Sequence, residues 1–106
     1  MRFYKLDNKR RVVGPITDLQ WIEWMASTPQ ESRVVKQTTI GEFEISTVFL
    51  GIDTHPNASG EPLVFETMIF GGNLDGGTRR VSTWNRALEN HRAACAMIFS
   101  RLAGNN

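Results

Sequence analysis

The sequence carries one cysteine, Cys95, among its 106 residues. A single thiol excludes an intrachain disulfide and a zinc site built from several thiolates, and it fits a reducing compartment. Long apolar runs are also missing. None approaches the roughly 20 residues that cross a bilayer, so no membrane association is expected. The opening stretch "MRFYKLDNKRR" interrupts its apolar residues with charges and lacks the apolar centre of a secretion signal, so a cytoplasmic protein is expected. An excess of charge of either sign is absent too. Twelve Lys and Arg face eleven Asp and Glu, a formal charge of +1, so no whole-protein field draws the chain to nucleic acid. There is no internal repeat, no low-complexity tract and no linker with a compositional break. One domain over 1–106 is expected, of a size that buries a real core.

Periodic segments fill that length. "RFYKL" reads as a first strand that resumes at Val12 and Val13 before the Gly14-Pro15 breaker. "ITDLQWIEWM" opens a helix with Thr17 as N-cap and Gln20 as its capping-box partner. Ile16 is placed to staple against Trp21. Leu19, Ile22 and Ala26 form one apolar line, expected to face the core, while Trp21, Trp24 and Met25 widen the apolar surface. "RVVKQTTI" and "EFEISTVFLGI" are β-rich runs hinged at Gly41-Glu42, and "PLVFETMIF" is a further, central strand. The last element is a helix capped by Ser82 or Thr83 and closed by Gly104. Its stripe of Trp84, Leu88, His91, Cys95, Ile98 and Leu102 lies across the sheet. The order β-α-β-β-β-α predicts an α+β fold, an antiparallel meander of about four strands with two helices.

Several residue groups invite chemistry. The glycine-rich "FGGNLDGGTRR" approaches the phosphate-loop frame G-x-x-x-x-G-K-[ST], but Gly77 stands where the lysine belongs. Three residues also separate the loop from the helix start, so a hairpin turn over 71–78 is the better reading. Asp53, His55 and Glu66 are weak candidates for a metal site. Without a lysine two residues after Glu66, the nuclease pattern is incomplete, and a loop Asp and His with a solvated Glu explain the residues as well. His91 and Cys95 lie one helical turn apart on an apolar stripe, where a core histidine and a buried, reduced cysteine are expected. Basic residues bunch at Lys9-Arg10-Arg11 and at Arg79-Arg80. Paired basic residues in turns are ordinarily solvated, and phosphate contact is the sharper alternative. No cofactor is expected.

The phrases "DLQWIEWM", "RVVKQTTIGEFEISTVFLGID", "PLVFETMIFGG" and "VSTWNRALENH" together resemble a group of small proteins encoded by phages and prophages. The likeness spans nearly the whole chain and is most specific at "STVFLGID" and "FETMIFGG". It implies a setting, the cytoplasm of an infected or lysogenic bacterium, and supplies no catalytic residue. The expectation is a binding protein rather than an enzyme. It would engage a host or phage protein, or inhibit host machinery or defence, through a surface that includes Trp21, Trp24, Arg79 and Arg80. A second copy of the chain is the other candidate partner. The alternative function is a nucleic-acid or nucleotide binding module using the basic turns and the glycine-rich loop.

Overall fold

The computed structural model describes residues 1–54, 60–72 and 77–104. It is an α+β fold with two helices and two antiparallel sheets. Strands β3 (Val34–Ile40), β4 (Phe43–Phe49), β6 (Phe65–Phe70) and β7 (Gly77–Val81) form the four-stranded sheet in that order. Strand β6 is central, as its two apolar faces imply. The N-terminal strands β1 (Arg2–Leu6) and β2 (Val12–Ile16) join β5 (Ile52–Asp53) in a separate three-stranded sheet of order β2-β1-β5.

The β3–β4 hairpin turns at Gly41-Glu42, with Ile40 opposite Phe43. Gly41 has φ 59, which glycine adopts without penalty and which suits the first position of a two-residue hairpin turn. Along β4, Phe43, Ile45, Thr47 and Phe49 are buried while Glu44, Ser46 and Val48 face the other way, so one face of the sheet is covered. The cover is α2 (Trp84–Leu102), which packs on all four strands. Thr83 is its N-cap and accepts a hydrogen bond from the Arg86 N–H, leaving Ser82 buried behind it.

The inward line of α2 is rotated from the expected stripe. Ala87, His91 and Ile98 are buried, with Ala94 packed between them, so the spacing runs four, three, four. Cys95 is consequently half-buried at the flank of the Ile40, Phe43, Ile45, Ile69 and Ile98 cluster, not buried as expected. Small Ala87 and Ala94 bring the helix close to the sheet, and closeness rather than side-chain size selects the central line.

A second cluster joins the two sheets around Tyr4, Leu6, Phe49, Val64, Phe65 and Ala87. Its spine is a run of edge-to-face rings: Trp24 on Phe49 at 5.7 Å, Phe49 on Phe65 at 5.1 Å, and Phe65 on Trp84 at 6.1 Å between centroids. Such pairs add about 0.5–1.5 kcal/mol each beyond the area they bury.

Candidate functional site

Helix α1 (Asp18–Ser27) has the expected capping box. Gln20 N–H donates to Thr17 Oγ1 at 3.1 Å, and Thr17 N–H donates to Gln20 Oε1 at 2.9 Å. Its orientation differs from expectation. Trp21, Trp24 and Met25 are the half-buried side, and the line expected to face the core points outward, with Leu19 60% and Ile22 55% exposed and Ala26 exposed as well. Two stripes of helical spacing compete here, and the indoles, which bury the most apolar area per residue, win the inward side.

Trp21 and Trp24 are therefore anchors of α1. The Trp21 ring packs on Phe3, the cross-strand neighbour of Ile16, at 5.4 Å between centroids. Its Nε1 edge lies against Gly51, where a Cβ would fall 2.6 Å from that nitrogen and 2.7 Å from the Tyr4 carbonyl oxygen. Gly51 has φ 73 and stands where the chain leaves the four-stranded sheet for β5, so both its backbone and its bareness are required.

Beside α1 lies an open pocket of about 510 Å³, with Trp21, Met25, Arg33, Val48, Glu66 and Arg80 in its wall. Trp21 and Arg80, two of the expected binding residues, thus meet at one place. Arg80 Nε donates to Glu66 Oε2 at 3.1 Å, across the register pair Glu66 and Arg80. Two buried donors in the pocket wall, Trp21 Nε1 and Arg33 Nε, have no acceptor among the described residues. A buried donor left unpaired costs about 1–3 kcal/mol.

Arg79 is separated from Arg80 by the pleat. It pairs in register with Thr67, whose side chain is buried on the covered face, and it lies beside Asn90 and Ala93 of α2. The two arginines therefore serve opposite faces of β7. Asp53 is buried on β5, Glu66 is engaged by Arg80, and His55 lies outside the described residues. Among the described residues no three His, Cys, Asp or Glu side chains gather as a metal site.

The glycine-rich stretch connects β6 to its antiparallel neighbour β7, with Ile69 opposite Gly77; its residues 73–76 lie outside the described ones. Five residues of β7 stand between that connection and the start of α2, so the glycines and the helix N-terminus are at opposite ends of a strand. His91 is a core residue. Its Nε2 lies 2.8 Å from Thr38 Oγ1, and its Nδ1 lies 2.8 Å from Thr47 Oγ1, which in turn lies 2.7 Å from Thr67 Oγ1. Burial, with a smaller contribution from the charge of Lys36, holds the His91 pKa below the usual histidine value.

The residues that sequence reasoning missed are the outward apolar side chains Leu19 and Ile22. Their signal was present as one of two apolar stripes on α1. No helix is long and apolar enough to cross a membrane, a statement that covers the described residues. Comparison of the chain with protein-family models, with curated proteins and with solved structures finds no match.

Proposed function

We propose that this chain is a non-enzymatic accessory protein that binds a host or phage protein in the bacterial cytoplasm, through the outward face of α1 and the pocket beside it. One observation carries the reading: α1 buries none of its residues fully, yet presents Leu19 and Ile22 to solvent three residues apart. Residues three apart are neighbours on a helix surface, so the two side chains make a continuous apolar ridge. The ridge runs alongside the pocket that holds Met25 and Trp21, and Arg33 and Arg80 supply charge at the pocket wall. A partner segment with apolar side chains over the ridge and an acceptor group at the pocket would match both features. The tryptophans serve this surface indirectly, by fixing α1 to Phe3 and Phe49. The resemblance to phage-encoded proteins supports the choice of compartment.

The test is co-purification from bacterial lysate with Ile22→Glu beside the parent, each variant first checked for fold by circular dichroism. A partner retained at stoichiometric level by the parent and lost by Ile22→Glu is the expected result. A partner retained equally by both would contradict the assignment of α1.

A further inference from the structure

The turn between β1 and β2 and the entry to α2 enclose a second, larger groove, of about 830 Å³. The turn is built around Asp7. Its Oδ1 accepts from the Lys9 and Arg11 N–H groups at 2.8 and 2.9 Å, and its Oδ2 accepts from Arg11 Nε at 2.8 Å. Hydrogen bonding from Arg11 holds the Asp7 carboxyl below its usual pKa. Arg10 takes φ 62, and its guanidinium lies over the Trp84 ring at 4.5 Å from the centroid, which pins the turn to the first residue of α2. Arg10 and Arg11 are thereby held at the groove wall, which Lys9 and, from β1, Arg2 also line. Among the described residues, Lys9, Arg10 and Arg2 are paired with no carboxylate. Glu61 is the acid on the rim, 3.8 Å from Arg86.

The floor of the groove is the start of α2. The Arg86 N–H is taken by Thr83, and the Ala87 N–H by the Thr83 carbonyl. The N–H groups of Trp84 and Asn85 belong to the turn whose donors find no acceptor within a helix, and no acidic side chain stands in that turn. Ser82 is only 6% exposed and lines the groove, and its hydroxyl makes no hydrogen bond to any described residue. A nearly buried hydroxyl without a partner costs free energy that a ligand oxygen would recover.

We propose that this groove is a binding site for a phosphate ester of small-molecule size, independent of the α1 surface. The phosphate sits at the first turn of α2, takes the Ser82 hydroxyl and the free N–H groups, and is balanced by Lys9 and its basic neighbours. The groove is far larger than a phosphate ion and has the volume of sites that hold metabolites or mononucleotides, so it admits the body of the ester as well. Single-stranded nucleic acid is the less favoured ligand. Its binders stack bases on open aromatic faces, whereas Arg10 covers Trp84, and Tyr4 is buried.

Isothermal titration at constant ionic strength tests the site, using inorganic phosphate, AMP and a short oligothymidylate as probes. Saturable binding of phosphate and tighter binding of AMP are expected. Ser82→Ala and Lys9→Ala should each weaken AMP about tenfold, while Arg80→Ala, outside the groove, should leave it unchanged. Lys9 is exposed, so its variant reports on the site even if Ser82→Ala disturbs the fold. No saturable binding of phosphate or AMP would overturn the proposal. So would binding confined to the oligonucleotide, or equal weakening by Arg80→Ala, which would mark a general attraction for polyanions.

Discussion

The Nδ1 atom of His91 lies 2.8 Å from Thr47 Oγ1, tying α2 to the central part of the sheet by a hydrogen bond wholly removed from water. A neutral imidazole presents one donor and one acceptor, and its two threonine partners can answer both. The same enclosure disfavours the charged ring, because a buried imidazolium loses its hydration.

A pH dependence follows from that enclosure. With the folded-state pKa of His91 below the unfolded value of about 6.5, the unfolded chain binds more protons as the solution acidifies. The His91 contribution is full above the unfolded value and is lost as pH falls through the folded one. Urea unfolding should show stability dropping below about pH 6.5, with the His91-linked part of the slope absent in His91→Gln and kept in His55→Gln.

Thr47→Val keeps the shape of the side chain and removes the hydroxyl that His91 and Thr67 share. Leaving buried polar groups without partners costs about 1–3 kcal/mol. The midpoint in denaturant should fall accordingly, with an unchanged dependence on denaturant concentration.

Neighbours on α2 should behave oppositely. Ile98 is fully buried against Ile45 and Ile69, and Ile98→Ala should cost about 2–5 kcal/mol. Phe99 is 61% exposed, and Phe99→Ala should stay within about 0.5 kcal/mol of the parent by the same unfolding measurement.

Much of this fold is written locally. The capping box of α1 needs only Thr17 and Gln20, the β3–β4 hairpin needs alternation around Gly41, and α2 is bracketed by Thr83 and by Gly104 with φ 79. What escaped depends on distant partners. Strand β1 pairs with β5 through two residues across some fifty positions, and nothing near Phe3 announces Ile52. The rotation of α2 follows from how closely Ala87 and Ala94 approach the sheet, and the orientation of α1 was a contest between two apolar stripes that Phe3 and Phe49 decide by receiving the indoles. At the candidate site, Trp21 and Arg80 were legible as residue types, but their meeting at one pocket, and the parting of Arg79 from Arg80, required the sheet register.

The division of labour on α1 predicts different failures for its two sides. Trp24 sits edge-on to Phe49, and Trp24→Ala should destabilise the fold by about 3 kcal/mol or more, read as a lowered unfolding midpoint. Leu19→Glu and Ile22→Glu should leave that midpoint within about 0.5 kcal/mol of the parent.

The most direct test of the binding role is the affinity of the purified partner for Ile22→Glu relative to the parent, measured by titration on protein whose circular dichroism matches the parent. The outward ridge of α1 predicts a loss of about 2 kcal/mol or more, close to thirtyfold, as expected for an interface centre. An affinity equal to the parent's, in a folded variant, would contradict it.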